Sequence, residues 1–413
     1  MSIKFRLIVM NFLQFFIWGA WLISFGSYAG NKLGFDGVQI GSFFATMGIA
    51  SLFMPALLGI IADRWVPAQK IYGICHLIGA FLLIAASFQV TYVPLYILML
   101  ASVMVYMPTL ALSYTIAYNA LAKAKMDVVK DFPPIRVWGT IGFICAMWTV
   151  DLTGFKHTEI QLYVSAIAAF VLGIYSFMLP QCDVNKNPES KSLIDVLGLR
   201  AFTLFKEKRM AIFFVFSMLL GAALQITNGF GDLFLSSFAK IPEYAHSFGV
   251  EHSVILLSVS QISETLFILT IPFFLKRFGI KKVMLMSMIA WALRFGLFGV
   301  GNPGSGLSLL LLSMIVYGLA FDFFNISGSL FIEQSTSAKI RASAQGLFML
   351  MTNGIGAIVG SYVAGAIVNK FVTQSATPNW STAWFIFATY ALVVAVLFTI
   401  FFKYKHKPEE VKM

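Results

Sequence analysis

Long apolar runs broken by short charged ones recur along this chain, at the interval a helix needs to cross hydrocarbon. About 20 mostly apolar residues, rising ~1.5 Å each, cover a bilayer core. Runs of that kind centre on Trp18, Ala50, Phe81, Met104, Phe143, Phe170, Leu220, Leu266, Ala290, Leu319, Gly356 and Val393. The pattern predicts an all-α membrane protein with twelve transmembrane helices. The first run starts almost at Met1, keeps Asn11 and Gln14, and has no small-residue cleavage site before further spans. It is therefore expected to stay on the chain as a helix, not to be removed as a signal.

Composition agrees with that pattern. Of 413 residues, 59% are hydrophobic and 11% charged, and mean hydropathy is +0.84, which excludes a water-soluble globular core of ordinary make-up. Lys and Arg crowd into the N-tail, the even-to-odd loops and the C-tail, whereas the opposite loops hold only Lys32, Lys156, Lys240 and Lys370. By the positive-inside rule both termini are cytoplasmic. The net charge of +11 is then a consequence of topology, and no nucleic-acid partner is implied. Cys75, Cys145 and Cys182 are odd in number and two fall within predicted spans, which argues against a disulfide framework. The longest polar interruption, Gln181 to Arg209, contains DVNKNPESKS and an amphipathic piece from Leu193 to Phe205. It reads as a cytoplasmic linker, 181–209, between a six-helix bundle over 1–180 and a second over 210–413 with its cytoplasmic tail. The loop after the second span, Gly59 to Trp65, is echoed in degenerate form by Lys276 to Lys282 after the eighth, as duplicated halves would produce.

Against this apolar background two carboxylates need a reason. Glu264 lies within the eighth predicted span and Asp322 within the tenth, while every other acid reads as falling in a loop or at a span end. An ionisable group at bilayer depth costs at least ~2.5–3.5 kcal/mol and normally faces a wet cavity on an ion or substrate path. Other polar residues share their helical neighbourhoods. Gln225 and Asn228 are three apart on the seventh span, and Gln261 and Glu264 repeat that spacing on the eighth, so each pair shares a face. Amides that donate and accept at once suit a nucleobase edge or sugar hydroxyls, although Gln and Asn also join helices to one another.

Arg136, Thr140 and Phe143 follow i, i+4, i+7 on the fifth span. Pro133 and Pro134 fit that helix's first turn. At matched depth, Arg136 is expected to pair with Asp322 or Glu264 in one conformation. Tyr317 and Phe321, a turn apart beside Asp322, offer an aromatic wall, and Trp18 and Trp21 with Gln14 offer a similar surface on the first span. Arg294 reads as a fixed partner or a snorkelling side chain. His76 alone of five histidines sits inside a span. Zinc, catalytic and nucleotide-loop motifs are absent, so neither enzyme chemistry nor a metal or cofactor is expected, and an ion gradient remains as the energy source. A carboxyl that alternates between a dry surround and a nearby cation changes its proton affinity. That makes Glu264 and Asp322 the proton-coupling candidates. Sodium is less favoured because no cluster of oxygen ligands is visible.

Eight segments carry a resemblance over nearly the whole length: FDGVQIG from Phe35, FMPALLGIIAD from Phe53, YMPTL from Tyr106, DFPPIRVWGTIGF from Asp131, MAIFFVFSMLLGAALQITN from Met210, SQISETLFILTIPFF from Ser260, IVYGLAFDFFNISGS from Ile315 and IRASAQG from Ile340. The chain is similar to the nucleoside:proton symporters of the major facilitator superfamily. Asp63 and Arg64 resemble that superfamily's G-x-x-x-D-R loop, where they would latch the cytoplasmic gate, although Pro67 and Gln69 depart from its later positions. The resemblance implies import of purine and pyrimidine nucleosides, such as uridine, adenosine and cytidine, across a bacterial inner membrane by alternating access, through a central cavity between the halves. It maps binding positions onto Arg136, Thr140, Phe143, Gln225, Asn228, Gln261, Glu264, Tyr317, Phe321 and Asp322. A monomer in lipid is expected. Two rivals stay open on the residues alone: a proton-coupled sugar or glycoside symporter, and a membrane receptor or scaffold without turnover.

Overall fold

The computed structural model describes residues 2–182 and 199–404, which are helical with no strand among them. The side chains of Asp63 and Arg64, the two gate candidates, lie outside the described residues, as does linker segment 183–198.

Twelve helical stretches correspond to the twelve apolar runs. They are α1 (Ile3–Gly19), α2 (Gly37–Arg64), α3 (Ala68–Ser87), α4 (Tyr92–Lys123), α5 (Val128–Leu152), α6 (Ile160–Ser176), α7 (Lys208–Ser237), α8 (Ser253–Ile268), α9 (Ile271–Val300), α10 (Leu307–Ser335), α11 (Ala338–Met349, prolonged by a π-turn over Leu350–Gly356 and then Ala357–Val368) and α12 (Trp380–Phe401). Among the described residues, nine helices are long and apolar enough to cross a membrane by themselves, and α6 and α8 are shorter apolar helices. Several helices depart from simple rods. The first span stops at Gly19, turns through Ala20–Ser24, and resumes as Phe25–Ser27 and a π-turn over Tyr28–Lys32. Residues 269–270 interrupt the eighth, because Pro272 at the next helix start has no N–H to offer the preceding turn. Its tail then runs to Gly279, whose φ of 78° and ψ of 165° turn the chain into the ninth span. Pro133 and Pro134 sit deeper than expected. Asp127 Oδ1 accepts from the Lys130 N–H at 3.3 Å and starts α5 at Val128, so the prolines fall in its second turn.

By contact the chain forms two compact units: Met1–Phe35 with Thr46–Ser192, and Asp36–Ala45 with Leu193–Met413. Each unit repeats one packing scheme. In the first, α1 packs on α5, α3 on α6 and α3 on α4; in the second, α7 packs on α11, α9 on α12 and α9 on α10. The closest crossings also correspond. A Cβ on Gly142 of α5 would lie 2.2 Å from the Phe12 carbonyl oxygen of α1, and one on Gly360 of α11 would lie 2.3 Å from the Ala222 carbonyl oxygen of α7. Apolar surface gains little by leaving lipid for protein, so such backbone approach and interhelical hydrogen bonds hold membrane helices together. Examples are Ser165 Oγ to the Ile17 carbonyl at 2.7 Å and Tyr390 OH to the Leu219 carbonyl at 2.6 Å. Within the second unit the start of α2 is held likewise, the Gly37 N–H donating to Asn369 Oδ1 at 3.3 Å and Thr373 Oγ1 at 3.1 Å.

Candidate functional site

In the second unit, Arg294 ties α8, α9 and α10 together through Ser260, Ser313 and the Tyr317 ring, and α7 carries an amide pair of its own. On α7 the Asn228 amide donates to Gln225 Oε1 at 3.4 Å, so the two act as a pair with an amide NH2 and an amide oxygen left over. The Gln261 amide on α8 is half-buried and makes no hydrogen bond among the described residues. Tyr317 and Phe321 on α10 stack with ring centroids 6.0 Å apart and planes 3° from parallel, which is the wall expected from their one-turn spacing. Asp322, the next residue, is 7% exposed, and Glu264 is half-buried. The Glu264 and Asp322 carboxylates and the Arg294 guanidinium all act electrostatically on the Tyr317 phenol. Two acids and one cation therefore lie within electrostatic reach of a single phenol.

Arg294 is the residue whose reading changes most. Snorkelling is ruled out, because the side chain is 2% exposed and its head is tied inside the bundle. Nη1 donates to Ser260 Oγ at 3.2 Å and to the Ser313 carbonyl at 3.1 Å. The guanidinium sits 4.5 Å from the Tyr317 ring centroid and 5.4 Å from that of Phe298, while Nε–H has no hydrogen-bond partner among the described residues. Trp291, one turn earlier on α9, meets the Tyr317 ring edge-on at 5.9 Å. Beyond Phe321 a shallow open cleft is lined by Leu224, Trp291, Phe324, Asn325, Thr352 and Asn353. Asn353 lies on the π-turn of α11, an irregularity found often at functional positions.

The first unit holds the remaining predicted residues. The Arg136 guanidinium lies 4.0 Å from the Phe15 ring centroid, and its Nε donates to Tyr114 OH at 3.1 Å. Thr140 is half-buried and its hydroxyl makes no hydrogen bond among the described residues. Phe143 meets Trp18 edge-on at 6.4 Å, and Trp18 also packs against Tyr106 at 5.7 Å. Arg136, Phe15, Trp18 and Phe143 thus make a continuous cationic and aromatic strip across α1 and α5. Gln14 leaves the solute-facing group, because its side chain is fully buried and committed. Its Oε1 accepts from Tyr72 OH at 2.7 Å, its Nε2 donates to Thr109 Oγ1 at 2.8 Å, and Tyr106 OH donates to its backbone carbonyl at 2.7 Å. His76 Nε2 lies 2.9 Å from the same Gln14 oxygen, so that nitrogen carries the ring proton. Trp21, 5% exposed, packs edge-on against Phe25.

A family model described as "Nucleoside H+ symporter" matches residues 1–407. The chain belongs to the nucleoside H+ symporter family. The symporter is 54% identical over 407 residues to the nucleoside permease NupG of Escherichia coli K12, covering 98% of this chain and 97% of that one. It is also 54% identical over 413 residues to the xanthosine permease of the same organism, covering 100% and 99%. Its fold matches the crystal structure of NupG with a TM-score of 0.93 at 54% identity, over 98% of this chain and all of that one. A POT family transporter crystallised with 5-aminolevulinic acid shares the fold alone, at a TM-score of 0.72 and 13% identity. The symporter is therefore a multi-pass transporter of the major facilitator fold that couples nucleosides to protons, and it is not an enzyme.

One buried carboxylate escaped the sequence reading. Asp232 is neither in a loop nor in a terminal turn: it lies within α7, is 1% exposed, and accepts a hydrogen bond at Oδ1 from Ser253 Oγ at 2.5 Å. A signal was there, since Gln225, Asn228 and Asp232 follow i, i+3, i+7. Arg294 carried one too, with Trp291 three residues before it on the same face.

Proposed function

We propose that the symporter imports purine and pyrimidine nucleosides, uridine, adenosine and cytidine among them, into the cytoplasm of a bacterium across its inner membrane, as a monomer with both termini cytoplasmic. Gln225, Asn228, Gln261 and Glu264 read the polar edges of the solute, and the Tyr317–Phe321 stack provides a face for its base. Arg136, Thr140 and Phe143 supply further contacts. Glu264 and Asp322 carry the coupled proton. The observation behind this reading is the company of one phenol: Tyr317 stacks on Phe321, carries the Arg294 guanidinium over its ring at 4.5 Å, and feels the charges of Glu264 and Asp322. Residues 1–180 and 210–413 serve as the two halves that move during alternating access, joined by 181–209, and Asp63 and Arg64 latch the cytoplasmic gate.

A solute-binding event that changes the surround of either carboxylate changes its hold on a proton, which is the coupling a symporter requires. Each proton entering down a membrane potential supplies about 2.3 kcal/mol per 100 mV, enough for more than tenfold accumulation of a neutral solute. The test is uptake of labelled nucleosides into proteoliposomes with and without a pH gradient. Glu264→Gln and Asp322→Asn should each abolish gradient-driven accumulation, and full accumulation by both variants would overturn the assignment. Equal identity to a nucleoside permease and a xanthosine permease makes xanthosine the informative member of the panel. A few cavity side chains worth about 1–3 kcal/mol each would suffice to shift base preference.

A further inference from the structure

Asp232 and Ser253 join the upper ends of α7 and α8, the two helices that carry the polar quartet. Both side chains are buried, at 1% and 0% exposure, and the Ser253 hydroxyl donates to Asp232 Oδ1 at 2.5 Å. A second contact lies beside the first: a Cβ built on Gly231 would sit 3.5 Å from Leu257 Cδ2, so the two helices pack closely at this level. The helical faces agree as well. Asp232 lies four residues from Asn228 and seven from Gln225, and Ser253 lies eight from Gln261 and eleven from Glu264, spacings that keep each group on one face.

Depth agrees too. Measured down each helix from this clasp, Gln225 lies about 10.5 Å away and Gln261 about 12 Å away at ~1.5 Å per residue. The two amides are therefore brought level, with Glu264 one turn further in. The connection over residues 238–252 contains only a short 3₁₀ turn and a four-residue helix, and His252 at the N-cap gives α8 no side-chain cap. A carboxylate at the N-terminal end of a helix is also favoured by the helix dipole.

We propose that Asp232 is a positioning residue: its clasp on Ser253 fixes the register of α8 against α7 and so holds Gln261 and Glu264 opposite Gln225 and Asn228. A slip of one residue would shift α8 by about 1.5 Å and turn it by about 100°, carrying both side chains off the shared face. The inference rests on the reading that those four residues bind the nucleoside. It gives Asp232 a role apart from Glu264 and Asp322, since the task is to accept a hydrogen bond and not to exchange a proton.

The experiment measures uridine affinity and gradient-driven uptake with full-length protein in proteoliposomes. Asp232→Ala and Ser253→Ala should each weaken uridine binding about tenfold or more, the range expected for a hydrogen bond to a charged group, and the double variant should be no worse than either single one. Asp232→Asn keeps an acceptor oxygen for Ser253, so its affinity should stay within about threefold of wild type and accumulation should persist. Wild-type affinity in both alanine variants overturns the proposal. So does an Asp232→Asn protein that binds uridine but no longer accumulates it, because Asp232 would then be a proton carrier. Should Asp232→Ala fail to fold, Ser253→Ala and Asp232→Asn decide the matter. Gln225→Ala and Gln261→Ala separate the two layers. Wild-type affinity in these two overturns the site reading itself, whereas their weakening alongside unaffected clasp variants overturns the clasp alone.

Discussion

Arg294 shows what a buried cation asks of its surroundings. Taken out of water, a guanidinium must recover its hydrogen bonds from protein, and here Ser260 and Ser313 supply two while Tyr317 and Phe298 supply aromatic faces. Lysine cannot reproduce a planar fork stacked on a ring. Arg294→Lys should therefore lose most gradient-driven uptake even if it folds, and Arg294→Ala should lose it entirely. Uptake near wild type in Arg294→Lys would show that charge alone suffices. Gln14 makes the complementary case of a structural amide. Gln14→Leu would strip partners from Tyr72, His76 and Thr109 together, and each stranded buried group costs about 1–3 kcal/mol. The expected result is a clearly lowered melting temperature in detergent, which an unchanged melt would refute. Sequence alone could not sort Gln14 from Gln261, since both are amides in apolar helices. What separates them is whether a neighbouring helix happens to present a phenol, an imidazole or a hydroxyl, and that information lies on other segments of the chain.

Among the elements, glycine decides how near two helices come. At Gly142 and at Gly360 a side chain would run into backbone, not into a flexible tip, so the neighbour cannot yield without moving a whole helix. Gly360→Leu should cost the second unit at least about 1–3 kcal/mol through overpacking, seen as a lower melting temperature. Gly296, where nothing lies within 4 Å of an added Cβ, is the matched control and should tolerate alanine. The ion pair between Lys32 and Glu159 ties the segment after α1 to the start of α6. Hydrogen bonding by Lys32 holds the Glu159 carboxyl below its usual range. A depressed carboxyl contributes stability above its unfolded value and loses it as pH falls through the folded one. The melting difference between wild type and Glu159→Gln should be small, because the pair is largely exposed, present at neutral pH, and gone in acid below the carboxylate range. Apolar run lengths were enough to find the helices, while their interruptions were harder. Pro272 and Gly279 mark in plain sight where the eighth span is interrupted and where the chain turns into the ninth, yet no local residue type announces the break after Gly19 or the π-turn at Leu350–Gly356.

For the whole molecule, the duplicated scheme was only faintly legible, in one charged loop and its degenerate echo. The corresponding glycine crossings of α1 on α5 and α7 on α11 state it more clearly than the loops do, since close approach restricts a position more tightly than charge does. The intramembrane carboxylates pointed to transport because hydrocarbon makes an ionisable group expensive. They did not by themselves choose between a nucleoside, a sugar and a silent scaffold; membership of the nucleoside H+ symporter family makes that choice. Asp232 was missed because a carboxylate near a span end looks, in sequence, like one that reaches water. The central claim is that Glu264 and Asp322 carry the proton that moves with the nucleoside. It is tested most directly by trapping a pH-sensitive dye inside proteoliposomes and adding nucleoside outside. Wild-type protein should acidify the lumen, and Asp322→Asn and Glu264→Gln should not, with nucleoside binding kept in Asp322→Asn; acidification by both variants at the wild-type rate would contradict a proton carried by these two carboxylates.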